Sequence, residues 1–573
     1  MNKYYEQYLS HVNKAVKVIE ESYSHIFPIE FSNYKVDATN IRAELPDLKD
    51  LGMFQDLKLS KGTLLCDIYA DVVAYKDGNK VSSATKIRLG RVPLQTQRGT
   101  FMIEGKEYSL PTQLRLGYGT FVHATSSGEI TAQFNVDSGK GLTMHYDPIT
   151  KIFQIKSGGR IIGLFPILIG MGVSHSLLQR TWGDEIYNAN KKKYGQASVK
   201  REVEKANLIF GGKSSSRPDE LKDTLQSFTM DPEINKISIG KEIANVSPEL
   251  LIDTSKRMLK VIKKEEEPVD RDQLQYKYVI DINGYFKERI KAAATTIKKK
   301  IINKLKKYGA DINKLFEYDY GTGPVMAMLK NYTQVSYADQ SNPYSFLGER
   351  KKVTVVGTGG IENERQLTPN ALKVDPTSYG YLDSVFTPDG DKIGAVTRLT
   401  DNTFIENKKI YRYMYNLHTD KLEAVDHRKS AHIAWATGDQ YKLVNGKLKP
   451  KSKTIESYVN GKLKVIPAEK VDYVATLNNL FNTISHSVPF LSSTQGNRVS
   501  YATKMMLQEL PLVNAEKRHT KAIVGSYKKD DGTLFSPKNI NEHFAGLVPD
   551  GVVTSPVDGV VYKINDRSII IKD

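Results

Sequence analysis

The sequence holds one cysteine in 573 residues, Cys66, so no disulfide can form within the chain and a zinc site built on cysteines is excluded by count. Cys66 lies in an apolar, strand-like run and reads as a small buried hydrophobe. Long hydrophobic runs are missing too. The longest, residues 161–173, is too short to span a bilayer and is interrupted by Gly163, Pro166, Gly170 and Gly172. The opening Met1-Asn2-Lys3-Tyr4-Tyr5 lacks the apolar stretch of a signal peptide. The expectation is a soluble intracellular protein with no membrane partner. No P-loop is present, and the 11 histidines show no ligand spacing; His427 and His432 read as structural or exposed. Gly357-Thr358-Gly359 follows a β-branched run, but Glu362 stands where a dinucleotide fingerprint needs its third glycine.

Positive charge is abundant. Lys and Arg number 82 against 65 Asp and Glu, a net charge of +17 with a pI near 9.3. That balance points to a polyanionic partner, nucleic acid above all, and its spread along the whole chain favours a folded basic surface over a basic tail. With 40% hydrophobic residues a sizeable core is available, and the length suits three or four domains.

Periodicity predicts the local elements. Tyr5, Leu9, Val12, Val16 and Ile19 fall at helical spacing. Residues 64–76 and 81–89 read as strands around Asp77-Gly78-Asn79, a hairpin signal because Asp-Gly tolerates the positive φ of a tight turn. Residues 174–269 read as helical and charged. Residues 289–307 predict a helix with Ile290, Ala294, Ile297, Ile301 and Leu305 on one face and lysines crowding the others. Such lysines commonly only solvate a helix; a DNA-facing role for some is consistent with counterion release. Residues 400–468 read as β-rich, and Val-Asn-Gly-Lys-Leu-Lys occurs at 444–449 and again at 459–464, two hairpins with Asn-Gly turns.

Residues 337–394 differ from all of this. Amides, cations and glycines alternate there with little apolar filler, as in Asp339-Gln340-Ser341-Asn342-Pro343, Arg350-Lys351-Lys352 and Gly357-Thr358-Gly359-Gly360. Such a stretch makes a poor core and suits either a solvated loop or a surface that meets phosphates and sugars.

Several segments carry a family resemblance. Val92-Pro93-Leu94-Gln95-Thr96-Gln97-Arg98-Gly99-Thr100-Phe101-Met102-Ile103-Glu104-Gly105 resembles the I-P-L-M-T-x-x-G-T-F-x-I-N-G segment of the β subunit of cellular multisubunit RNA polymerases. Tyr146-Asp147-Pro148 is similar to the family's F-D-P strand, Asp339-Gln340-Ser341-Asn342-Pro343 to D-Q-N-N-P, and Gly357-Thr358-Gly359-Gly360 to G-P-G-G. Val374-Asp375-Pro376-Thr377-Ser378-Tyr379-Gly380 resembles V-H-P-T-H-Y-G, and Thr387-Pro388-Asp389-Gly390-Asp391-Lys392-Ile393-Gly394 resembles T-P-E-G-P-N-I-G. Further on, Ser487-Val488-Pro489-Phe490-Leu491 through Asn497-Arg498 to Gln508 and Pro511 resembles S-L-I-P-F-L to A-N-R and M-Q-R-Q-A-V-P. Residues 559–571 resemble the G-G-V-V to R-I-V-I strands.

This resemblance implies an α+β, multidomain N-terminal half of a β subunit: protrusion over 1–173, lobe over 174–269, lobe end and return to the protrusion over 270–335, fork over 336–400, and an external-type β-rich region over 401–573 with an active-site-facing segment at 487–511. It implies nucleotidyl transfer within an assembly, the chain being inactive alone. Arg498, Asn497, Asp389 and Lys392 would meet the nucleotide; Gln340, Asn342, Lys351, Lys352, Gly357, Gly359, Gly360, Arg365 and Gln508 would meet RNA or DNA. Mg2+ would sit on a β′-type partner, because Asp389-Gly390-Asp391 lacks the spacing of the family's metal loop and binds no metal on this reading. The family's continuation does not follow in this sequence, so the resemblance implies a split β subunit, most like those of jumbo bacteriophages. Its partners would be a C-terminal β half, split β′-type chains, a promoter-specificity factor, DNA, RNA and nucleotides, in the host cytoplasm or packaged in the virion. The terminal strand at Ile569-Ile570-Ile571 would need a partner to cover its edge. The alternatives are an archaeal-type split β subunit, or a polymerase-derived nucleic-acid-binding protein outside any catalytic assembly. The family's rifamycin pocket carries Glu349, Thr354 and Ser336 here, which implies poor binding of the drug.

Overall fold

The computed structural model describes residues 3–46, 52–96, 99–125, 128–331, 335–338, 342–369, 371–388, 390–401, 403–444, 447–459, 461–475, 480–508, 527–528, 534–535, 559–565 and 568–572. The fold is α+β, with several separate sheets. Its described residues divide into two compact units, one formed by residues 1–114 with 279–573 and the other by residues 115–278.

In the discontinuous unit, Ile29–Phe31, Tyr34–Glu44, Leu65–Lys76 and Asn79–Pro93 form an antiparallel meander. Leu65–Lys76 buries every second residue, Cys66, Ile68, Ala70, Val72 and Ala74, as period-two alternation requires of a strand with one face on a core. Asp77 and Gly78 take φ of 50° and 82° in the hairpin turn, the left-handed geometry that the Asp-Gly pair predicts. The N-terminal helix, Lys3–Ser24, extends one turn beyond the apolar spacing, and Val12 and Ile19 are buried. The Ile282–Tyr308 helix is longer than its sequence signal, because Asp281 caps it by accepting from Gly284 N at 3.0 Å. Its buried stripe is Ile290, Ala294, Ile297, Ile301 and Leu305.

The other unit packs a five-stranded antiparallel sheet, from Arg160–Gly163 through Ile152–Ser157, Leu142–Asp147 and Ile130–Asn135 to Gly119–Ala124, against helices. The apolar run at 161–173 is shared between a strand and the Leu164–Gly170 helix, where Leu164, Phe165, Ile167 and Leu168 are buried. Ser247 and Asp231, each followed by proline, cap the Pro248–Ile262 and Pro232–Ile239 helices.

Back in the first unit, residues 403–475 build a seven-stranded sheet. The duplicated hexapeptides lie in two hairpins, Tyr441–Val444 with Lys447–Pro450 and Thr454–Val459 with Lys462–Pro467. Their asparagines, Asn445 and Asn460, lie outside the described residues, and Gly461 has φ of 69°. His427 is buried, its Nδ1 accepting from Ile410 N at 3.2 Å.

Candidate nucleotide and nucleic-acid interface

The Gly496–Met506 helix carries Asn497 and Arg498 in its first turn, and both are exposed. Val499 and Thr503 are buried beneath them. This burial at i and i+4 fixes which face turns outward, so Arg498, Tyr501, Met505 and Gln508 share the exposed side. The first turn of a helix also presents backbone N–H groups without helical partners, and a guanidinium beside them suits phosphate oxygens.

Two contacts anchor this helix. Near its C-terminal end the Asn342 carboxamide donates to Met506 O and Gln508 O, both at 2.9 Å, while its oxygen accepts from Tyr344 N at 2.9 Å. One side chain thus satisfies carbonyls that a helix end leaves open. On its flank Ser500 Oγ donates to Thr387 O at 3.2 Å. Thr387 opens the 387–394 loop and closes it as well, since its Oγ1 accepts from Gly394 N at 2.8 Å. The short helix Gly390–Lys392 lies inside that loop, with Lys392 exposed. The fold therefore ties Asn342, Gln508, Asn497, Arg498 and the Lys392 loop into one hydrogen-bonded assembly. Asp389 and Gln340 lie outside the described residues.

Lys351 and Lys352 are half-buried and ion-paired. Lys351 Nζ meets Asp401 at 2.5 Å, and Asp401 also accepts from Thr483 Oγ1 at 2.7 Å. Lys352 Nζ lies 3.0 Å from Glu349, which further accepts from Ser336 Oγ at 3.2 Å and faces the buried Arg398 at 3.6 Å. Both lysines brace the strand Lys352–Thr354 between Val396–Arg398 and residues 112–113. Thr354 is buried, its Oγ1 accepting from Val356 N at 3.1 Å.

Gly357, Gly359 and Gly360 form a tight turn after that strand. Gly357 N donates to Ile361 O at 2.8 Å and Gly360 N to Gly357 O at 3.1 Å. Gly359 and Gly360 are exposed at its tip. Gly357 and Gly359 have φ of 147° and 82°, which explains the glycines. Val356 and Ile361 meet in a bridge, and no helix starts there as a dinucleotide site needs. Arg365 is exposed in the short helix Glu364–Gln366.

Asp383 went unnoticed in the sequence. Its buried carboxylate accepts from Val385 N, Phe386 N, Asn482 N and Ser485 Oγ at 3.0, 3.1, 2.7 and 2.6 Å. Burial pushes its pKa up and these donors oppose the shift. Asn482 in turn donates to Leu399 O at 2.8 Å. The carboxylate joins the segment before the 387–394 loop to the Thr483–His486 helix before Arg498. A lone aspartate beside Leu382 carries no local signal of this role; Val385 and Phe386 are near neighbours, but Asn482 and Ser485 lie about a hundred residues away.

Among the described residues no group of three or more His, Cys, Asp or Glu side chains could hold a metal ion. No helix among them is long and apolar enough to cross a membrane.

A family model described as RNA polymerase Rpb2, domain 3, matches residues 336–405, the stretch that holds the Glu349 cluster, the glycine turn and the 387–394 loop. The chain is 23% identical over 527 residues to the DNA-directed RNA polymerase subunit beta of Bigelowiella natans, an alignment covering 84% of this chain and 47% of that protein. These matches support a β-type RNA polymerase subunit. The β-type likeness extends to the same-named subunits of Parasynechococcus marenigrum (strain WH8102), 22% identical over 85% of this chain and 46% of the relative, and of Chaetosphaeridium globosum, 22% identical over 77% and 44%. The chain spans about half the length of the curated relatives it matches.

Proposed function

We propose that this chain works within a multisubunit DNA-dependent RNA polymerase, where it positions the incoming nucleotide, the RNA end and downstream DNA for nucleotidyl transfer. The observation that carries this reading is the exposed Asn497–Arg498 turn of a helix that Asn342 holds at its C-terminal end and that Ser500 ties at its flank to the loop bearing Lys392. Its contribution would be placement and charge: an Arg fork and helix-end N–H groups hold phosphate oxygens while the reacting atoms align. Mg2+, supplied on a β′-type partner, would activate the attacking hydroxyl and stabilise the leaving pyrophosphate.

The finer reading is a split β subunit of a jumbo bacteriophage, acting on phage DNA in the host cytoplasm with a C-terminal β half, β′-type chains and a promoter-specificity factor. The replaced motif residues support it. An apolar hairpin supports the need for a partner: Val560–Asn565 pairs with Ser568–Lys572, and Val560, Val561, Ile564, Ile569 and Ile570 are exposed on it. The test is affinity purification of the tagged chain from cells expressing it natively. Co-purifying chains with β′-type sequences and Mg2+-dependent RNA synthesis are expected; a lone DNA-binding protein without synthesis overturns the reading.

A further inference from the structure

The Ile282–Tyr308 helix lies away from the assembly around Arg498 in sequence. Between residues 289 and 307 it carries eight lysines and arginines, and no carboxylate occurs between Glu288 and Asp311. Its buried stripe sets the rotation of the helix and turns Lys299, Lys300, Lys306 and Lys307 outward, all exposed. These are two pairs spaced i, i+7, which an α-helix brings to one face about 10 Å apart. Aromatic rings hold two of them: Lys306 Nζ lies 4.9 Å from the centre of the Phe31 ring and Lys307 Nζ 4.9 Å from that of Tyr308.

The nearby carboxylates are already engaged. Glu317 pairs with Lys304 at 3.5 Å and Asp311 with Lys314 at 3.6 Å. Among the described residues none of the four outward lysines has a carboxylate within ion-pair distance. Like charges this close repel one another, so an anion that brought several negative charges at once would relieve them.

We propose that this lysine stripe binds the phosphate backbone of duplex nucleic acid without reading its sequence. Thr295, Thr296 and Asn303, exposed on the same helix, add neutral groups of the kind that bond phosphate oxygens. From Lys291 to Lys307 the helix runs about 24 Å, a length over which duplex DNA carries roughly 14 phosphates. A lipid surface fits less well, because a helix lying on a bilayer buries an apolar face and here Tyr308 is the helix's one exposed large apolar side chain. The choice of nucleic acid over another polyanion rests on the polymerase reading; the stripe itself does not.

The test uses the full chain and a fluorescein-labelled duplex of random sequence, with anisotropy followed between about 50 and 200 mM salt. Replacing the four lysines together, Lys299→Gln, Lys300→Gln, Lys306→Gln and Lys307→Gln, is expected to lower the slope of log K against log salt by up to about 3.6, at roughly 0.9 for each phosphate left without its lysine. The corresponding four Lys→Arg changes should keep the slope, and circular dichroism should be unchanged in both variants because the side chains are exposed. An unchanged slope in the glutamine variant overturns the proposal, as does a parent chain that binds polyglutamate but not DNA. The polymerase reading fails separately: a chain that binds DNA through the stripe yet purifies without β′-type partners keeps this inference and loses that one.

Discussion

The backbone of Gly380 runs against the guanidinium of Arg412 so closely that a Cβ there would collide with Nη1. Arg412 is fully buried between the rings of Tyr381 and Trp435, 4.6 and 4.2 Å from their centres, and donates to Tyr379 O at 3.1 Å. Burial lowers its pKa and Tyr381 opposes that shift. Gly380 also has φ of +78°, which a side chain strains. Gly380→Ala should therefore destabilise this region by about 2 kcal/mol or more, the sum of overpacking and backbone strain. Urea unfolding followed by tryptophan fluorescence measures it, since Trp435 lies in the cluster.

Asn342→Ala should loosen the helix that carries Arg498. The change leaves Met506 O and Gln508 O without the donor they share, at a cost of about 1–2 kcal/mol. Hydrogen exchange should quicken in residues 500–508 and stay as it was in the Leu65–Lys76 strand. Equal exchange in parent and variant would show that the carboxamide does not hold the helix.

Arg498→Ala should leave folding intact, because the side chain is exposed. In the assembled enzyme it should raise the nucleotide KM about tenfold or more, as the loss of a charged hydrogen bond worth roughly 1.5–3 kcal/mol implies. Arg498→Lys should recover only part, since an ammonium cannot present a fork. The readout is RNA synthesis against nucleotide concentration; an unchanged KM removes Arg498 from the site.

Burial pushes the Cys66 thiol up to about 12. A raised value means that the neutral thiol is the folded form through neutral and mildly alkaline pH; the stability linked to it is full below the ordinary thiol value near 9 and is lost progressively as pH climbs from there through about 12. Alkylation at about pH 8 should fail in the native chain and succeed after denaturation, read by intact mass. Rapid native labelling would place the thiol at the surface.

Rifamycin should inhibit the assembled enzyme poorly. Glu349 and Ser336 bond each other, and Glu349 also meets Lys352 and Arg398; on the proposed β-type reading these mutually engaged groups would stand in place of the drug pocket's His and first Gln. Inhibition of RNA synthesis at ordinary drug levels would contradict this.

Much of the architecture was legible because it is local. The Asp77-Gly78 turn, the alternation of Leu65–Lys76, the stripe from Ile290 to Leu305 and the two Asn-Gly hairpins each follow from neighbours within a few residues, where backbone sterics and side-chain period decide the outcome. The candidate site was legible as residue types in order: Asn342, Lys351, Gly357, Lys392 and Arg498 stand in motifs that survive without knowledge of the contacts.

Sequence by itself determined the charge, the element types and the β-type motif order, all of which are properties of composition and short spacing. Only the tertiary structure decided what those residues do to one another. It turned Lys351 and Lys352 toward Asp401 and Glu349, made Asn342 the clasp of a helix 164 residues away, and buried Asp383 among donors from residues 482 and 485. Pairing over such separations depends on how the sheets and helices close around a shared core, and no local pattern encodes which distant donor a buried carboxylate will meet.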